Sequence, residues 1–588
     1  MMNLKLPTLF AVMLGLSLSA CGQKTVTQTN SADKQAMPSK AVLFADTLYK
    51  NGEILTMDGD KPNYVEAVTV RNGKIQAVGS LESISQFKGD STRVIDLNGK
   101  TMLPGFIDPH GHFMFALQMV KQVNVALPPV GKITDIPSLQ AKLKQYQQDN
   151  KIPEGEWVVG WGYDNEGLAE QRHVLKTDLD AALPNHKVMI IHVSGHGAVL
   201  NSKAFEWAGI DASTPTPPGG VIARVEGSQE PAGLLMETAY LPVFSKMPQP
   251  SKSDMFALMD QAQQMYASEG YTHAQEGATH VKDMRFLQEA AAKGKIYLDI
   301  VSLPLFLEMD EWLNKPEFPF GEYTNKLKFQ GVKFVQDGSP QGKTAYVSHP
   351  YLTGGPDGQE NWKGEPTLPE AEFDTLVKRA LDNKIQVFVH ANGDATIDEV
   401  ITAVEKAGIT AKDDRRTTVI HSQFQRPEHL QKYKDLGMTP SYFTNHTFFW
   451  GDVHIKNIGK EAANFISPIK SATELGLIYS NHTDFNVTPL DPMFVMWTAM
   501  SRTSRTGQVI GAEQRVDAYT ALQGLTTGPA YQVFEEDRKG MIKPGLLADF
   551  VILDKNPITV AAGDSMDKVK DIRVMETIKQ DKLIYEAK

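Results

Sequence analysis

The sequence predicts an α/β protein: a (β/α)8 barrel of TIM type, with a small β-sandwich built from both termini and a long insert after the first barrel strand. Three observations predict it. Short apolar strands alternate with helical stretches through the middle of the chain, the pattern of parallel βα units. Eight such strands can be counted, the number that closes a barrel. Both ends instead read as short β-strands without helices between them. With 588 residues, the chain is too long for one small core and long enough for a large barrel with additions.

Residues 1–20 read as a targeting segment. Lys5 supplies a small positive region, and Leu6 to Ala20 is apolar but too short to span a bilayer as a mature helix. It ends in Leu18-Ser19-Ala20-Cys21, which resembles the lipobox of bacterial lipoproteins. The resemblance implies a diacylated Cys21 as mature N-terminus. Gly22, rather than Asp, after it points to the outer membrane, facing the periplasm. Cys21 is the single cysteine, which excludes an intrachain disulfide and argues against thiolate ligation of a metal. Residues 21–40 are polar and read as a lipidated tether. The membrane is then a partner through the lipid anchor only.

Residues 41–103 form the N-terminal part of the expected sandwich. Ala67–Val70 and Lys74–Val78 flank Asn72-Gly73, a strong hairpin signal. Val94–Leu97 followed by Asn98-Gly99-Lys100 repeats the pattern. Residues 536–588 supply the other part, with a strand at Gly545–Leu553 and shorter ones between Ile572 and Tyr585. Between them, residues 104–535 form the barrel. Its strands are expected to end near His112, Glu276, Pro304, Gln336, His390, His421, Asn445 and Asp484. The stretch from about 115 to 245 is too long for one βα connection and reads as an inserted subdomain. The net charge of −11 disfavours nucleic acid, since a polyanion wants a basic footprint. Nothing in the sequence sets the oligomeric state.

The most informative stretch is Leu103–His112, an apolar run ending in His-x-His. In an extended chain residues i and i+2 point to one side, so His110 and His112 can reach one metal ion. Alone the pair is weak, because many such pairs are loop residues. Lys333, His390, His421 and Asp484 also stand at predicted strand ends, and a barrel gathers all strand ends round one mouth. Singly each has an ordinary explanation: a loop histidine, an ion-paired lysine, a helix-capping aspartate. Jointly they define a metal-competent constellation.

This arrangement resembles the metal-dependent amidohydrolase superfamily. Gly331–Ser339, His390-Ala391-Asn392-Gly393-Asp394-Ala395, Ile420–Phe424 and Trp157–Gly162 look like its YtcJ-like branch, which includes N-substituted formamide deformylases. The resemblance runs from about residue 41 to the C-terminus. It implies hydrolysis of C–N bonds in a small-molecule amide. It also implies two zinc ions: His110, His112 and Asp484 on the first metal, His390 and His421 on the second, and a CO2-derived carbamate on Lys333 bridging them. A single-metal form, with His110, His112, His390 and Asp484 round one ion and Lys333 unmodified, stays open. Asp484 is the expected catalytic proton shuttle beside a metal-activated hydroxide. The chain departs from the branch at Asn481-His482-Thr483-Asp484 and at Ser339–Thr344, which bears on the substrate. In the insert, His196 between two glycines is either a substrate contact or a packing residue, and Trp161 either a pocket wall or core. His192 reads as structural, and Asp394 as a turn residue or an orienter of His390. Cyclic imides, dipeptides and esters are the alternative substrates; a non-catalytic periplasmic binding lipoprotein is the alternative of another class.

Overall fold

The computed structural model describes residues 43–588 except 129, 218, 219, 249, 250, 357 and 564. The targeting segment, Cys21 and the tether lie outside the described residues.

Both ends of the chain build one eight-stranded sheet. Phe550–Leu553 runs antiparallel to Thr101–Pro104, pairing Phe550 with Pro104 and Leu553 with Thr101. Thr101–Pro104 in turn pairs with Thr47–Leu55. The Asn72-Gly73 turn joins Tyr64–Arg71 to Lys74–Gly79 as an antiparallel hairpin, with both turn residues at positive φ. The second Asn-Gly signal fails. Asn98 and Gly99 also have positive φ, but Arg93–Asp96 and Thr101–Pro104 do not pair with each other. Both lie parallel along Thr47–Leu55, one on each side of its irregularity between Lys50 and Ile54. The turn steps the chain along one strand edge, because Leu97 is buried against Gly52, where a Cβ would meet the Leu97 side chain at 2.6 Å.

Eight parallel strands make up the core: β1 (Phe106–Ile107), β2 (Tyr271–Thr279), β3 (Asp299–Pro304), β4 (Gly331–Val335), β5 (Gln386–Ala391), β6 (Thr418–His421), β7 (Thr439–Tyr442) and β8 (Ser480–Asn481). One sheet joins β1, β2 and β3 to Leu327–Phe329, which leads into β4; a second runs β4 to β8 in order. Single parallel bridges, Leu305–Lys333 and Gly111–Phe485, connect the two sheets. Val332, Phe334, Val387, Phe388, Val389, Val419 and Ile420 are all buried, the continuous apolar runs of parallel strands covered on both faces. The seventh strand stops at Tyr442, short of the expected Asn445, which opens the helix Asn445–Ile458. Apolar pattern alone does not separate the end of a buried strand from the start of a buried helix.

Residues 123–237 form a separate six-stranded sheet after β1. Val158, Leu179, Val188, Ile190 and Val199 give it a core of its own. At the N-terminal end of β3, Asp299 anchors a buried ionic cluster. Lys539 lies 2.7 Å from Glu535, Lys579 lies 2.9 Å from Asp299 and 2.7 Å from Asp549, and Lys328 lies 2.6 Å from Glu535. This cluster ties the terminal sheet to the core from the face opposite the strand ends that carry chemistry.

Candidate metal centre

His110 and His112 follow β1, where the chain is held by two backbone contacts with the segment after β8. His112 N donates to Phe485 O at 2.7 Å, and Asp484 N donates to His110 O at 3.2 Å. The same ties that join first and last strands therefore place Asp484 against the His-x-His pair. Asp484 Oδ1 lies 3.3 Å from His112 Nε2 and 3.5 Å from His110 Nε2. Among the described residues, the ligand atoms of these three side chains lie within 4.8 Å of one another. Asp484 (φ +50°), His421 (φ +70°) and Ser422 (φ +45°) all occupy the left-handed region. Such strain costs about 1–3 kcal/mol per residue and collects at functional sites.

Lys333 sits inside β4, fully buried, with Nζ 3.0 Å from His110 Nε2. His390 is the last residue but one of β5, and His421 ends β6. Their rings meet through Nδ1 and Nε2 at 3.0 Å, and His421 Nε2 lies 4.0 Å from Asp484 Oδ2. All six side chains expected at the mouth are thus gathered, with Asp484 touching both histidine pairs.

Their charge states suit a cation. Burial, then Lys333, pushes His110 well below the usual imidazole range. Burial and Lys333 hold His390 down at about 3. Burial and the neighbouring His390 push His421 well below the usual imidazole range. Burial raises Asp484, but the neighbouring His112, His421 and His110 outweigh that, leaving it well below the carboxylate range. Lys333 is drawn down to about 7 by burial, against the pull of Asp484 and Glu276. Neutral imidazoles round an ionised carboxylate are the donor set that divalent ions require. Asp484 Oδ1 is buried with no hydrogen bond of its own, an orphan that a cation would satisfy. The residues therefore fit a divalent metal.

Several supporting residues escaped the sequence reading. Gln275 Oε1 lies 3.0 Å from His110 Nδ1 and orients the ring. Gly277 on β2 faces the same imidazole: a Cβ there would meet His110 Cε1 at 2.3 Å. His482 is completely buried, its ring centroid 5.2 Å from that of His110 and 5.0 Å from that of His421. The sequence marked it only as part of the Asn481–Asp484 departure, and its spacing to Asp484 is the same i, i+2 relation as in His-x-His. Asp337 accepts from Asn392 N, Gly393 N, Thr396 Oγ1 and Tyr346 N, pinning the turn after β5. His390 Nε2 lies 2.9 Å from Asn392 Nδ2 and 3.3 Å from Gly338 O. Asp394 does not reach His390. It accepts from Ser348 N at 2.8 Å and Arg426 Nη1 at 2.7 Å, because the helix Asp394–Lys406 that it opens turns its side chain toward those partners.

The insert contributes His196, whose Nδ1 lies 3.1 Å from Glu237 Oε2. Burial opposes its protonation, but the bond and charge of Glu237, with Asp484 and Asp337 behind, raise its pKa. His390 in turn feels the His196 charge. Trp161 lies half-buried in the strand Trp157–Tyr163 and packs against the main core. His192 bonds Ser194 Oγ at 2.8 Å and Asn165 Oδ1 at 3.2 Å within the insert.

A mixed α/β core with a His/Asp donor set at its strand ends is the build of a metal-binding hydrolase. The chain belongs to the amidohydrolase family: the model of that family, Amidohydro_3, matches residues 93–585. It is 26% identical over 555 residues to YtcJ of Bacillus subtilis strain 168, covering 92% of this chain and 99% of that protein. It is 25% identical over 552 residues to the N-substituted formamide deformylase of Arthrobacter pascens, covering 92% and 98%. An uncharacterized metal-dependent hydrolase from Pyrococcus horikoshii OT3 shares the fold, with a TM-score of 0.70 at 22% identity over 88% of this chain and 99% of that one. These relatives support a hydrolase. Among the described residues no helix is long and apolar enough to cross a membrane.

Proposed function

We propose that this chain hydrolyses non-peptide C–N bonds in small amides. The observation that carries the reading is the convergence of His110, His112 and Asp484 within 4.8 Å, two strand ends brought together across the first-to-last junction. A divalent ion held there supplies a nucleophilic water near neutral pH and polarises the scissile carbonyl. Asp484, ionised and reaching both histidine pairs, takes the proton of the attacking water and returns it to the leaving nitrogen. Lys333, with a pKa near 7, is half neutral at physiological pH. As a free amine it adds to CO2, releasing one proton and becoming a carbamate anion. His390 and His421 would hold a second zinc ion, with the carbamate on Lys333 as a further anionic ligand. His196 contacts the substrate from the insert, and Trp161 walls its entrance. The bridges Leu305–Lys333 and Gly111–Phe485 support a closed (β/α)8 barrel beneath this mouth, and the shared terminal sheet supports a sandwich beside it. Cys21, on the strength of Leu18–Cys21, carries the lipid that anchors the enzyme at the outer membrane.

The experiment is a panel of N-alkyl- and N-arylformamides, cyclic imides, dipeptides and esters, run with zinc-loaded protein beside Asp484→Asn. The formamides are expected to turn over, and Asp484→Asn to abolish it. Turnover confined to dipeptides or esters, or an Asp484→Asn variant as fast as wild type, would sink the reading. Lys333→Ala separates the metal forms: loss of about one metal and most activity, with partial rescue by short carboxylic acids, is the two-metal outcome, and full metal content is the single-metal one.

A further inference from the structure

The helix Asn445–Ile458 begins just past β7 and carries two buried histidines that the proposed chemistry does not use. His446 Nδ1 and His454 Nε2 are 3.0 Å apart, with the rings only 10° from parallel. Phe443 joins this pair to the metal-competent cluster: its ring centroid is 4.7 Å from that of His446, 4.7 Å from that of His482 and 5.9 Å from that of His421. Asp484, His482 and His390 also act electrostatically on His446. His454 lies on the far side, its ring edge-on to Phe424 at 5.2 Å.

A neutral imidazole has one donor and one acceptor nitrogen, so the pair has two arrangements. In the first, His446 Nδ1–H donates to His454 Nε2. His454 must then carry its second proton position empty at Nε2 and its N–H at Nδ1, which is buried with no acceptor. In the second, His454 Nε2–H donates to His446 Nδ1, and His454 Nδ1 is a bare lone pair against an aromatic wall. An orphaned buried N–H is the costlier defect, so the second arrangement wins. It places the remaining proton of His446 on Nε2. That nitrogen has no hydrogen-bond partner among the described residues, and His446 keeps 3% exposure while His454 keeps none.

We infer that His446 is a further catalytic residue, a neutral N–H donor that binds the substrate carbonyl oxygen as it gains charge, and that His454 is a positioning residue that sets its tautomer. The inference rests on the amide-hydrolysis reading. A preorganised donor of this kind acts where charge develops and costs no reorganisation during reaction. An imidazole that stays neutral gives up no proton to the oxyanion, so the group returns unchanged after each turnover.

The test uses the full-length zinc-loaded protein and the formamide that wild type hydrolyses fastest. His446→Phe is expected to lower kcat by about 10²–10³-fold, with zinc content and KM within about twofold of wild type. His446→Gln, which restores a donor, should recover part of that loss; a merely structural role would leave the two variants alike. Nitrogen-15 spectra of histidine-labelled protein, assigned with His446→Gln and His454→Gln, should show the His446 proton on Nε2. A proton on Nδ1, or a wild-type kcat in His446→Phe, overturns the inference while leaving the hydrolase reading in place. A wild type inactive on every amide overturns both.

Discussion

Gly277→Ala is a single-methyl perturbation aimed at the geometry of the metal centre. The added Cβ would stand 2.3 Å from His110 Cε1 and 2.7 Å from its Nδ1, where ordinary contact begins at about 3.4 Å. His110 cannot swing freely, because Gln275 holds Nδ1 at 3.0 Å and Lys333 stands 3.0 Å from Nε2. The ring must therefore move by about 1 Å, and the fold has little else to give, since Gly277 N also donates to Gly111 O at 2.8 Å. A misplacement of about 1 Å at a reacting centre costs roughly 10²-fold, or about 2.7 kcal/mol of transition-state stabilisation. Zinc affinity should fall by about 10–100-fold, as it does when an orienting contact to a ligand is lost. Competition titration against a chromophoric chelator reads the affinity, and kcat/KM on the best formamide reads the rate. Gly277→Ala protein that binds zinc and turns over like wild type would show that His110 does not need its present position.

In metal-free protein Lys333 has a folded pKa of about 7 against 10.5 unfolded, so between those values the unfolded chain holds the extra proton and stability rises with pH. Lys333→Met should be more stable than wild type near neutrality, with the gap closing by about 1.36 kcal/mol per pH unit; urea unfolding between about pH 7 and 9 checks this, and a gap that widens refutes it. Lys539→Met takes one cation from each of the buried carboxylates Asp299 and Glu535, which keep Lys579 and Lys328, and should cost about 1.5–3 kcal/mol, read as a lower denaturation midpoint with kcat/KM of the folded protein unchanged. Breaking the His196–Glu237 pair with Glu237→Gln removes the main support for a protonated His196, and the pH dependence of KM should shift to lower pH on the imidazole limb; an unmoved profile would place His196 outside the substrate contact.

The strand ends at Pro304 and His421 and the Asn72-Gly73 hairpin were legible in sequence because side-chain periodicity and turn chemistry are local. The Asn98-Gly99 turn was misread by the same rule: two strands flanking a permissive turn pair with each other only if no third strand offers a better edge, and here Thr47–Leu55 does. His110, His112, Lys333, His390, His421 and Asp484 could be picked out as ligand-competent types at strand ends, yet local pattern cannot say which atoms meet.

What the sequence by itself determined is the alternation of strands and helices, the identity of the donor side chains and their order round the core. The tertiary structure alone decided three things. The backbone ties between residues 110–112 and 484–485 set Asp484 against the histidines. Burial held His110, His390 and His421 below the usual imidazole range and brought Lys333 down to about 7. Packing brought Gly277 and His482 against the donor side chains and set the His446–His454 pair behind Phe443. Each depends on distance and desolvation between residues far apart in the chain, quantities that no local pattern of residue types encodes.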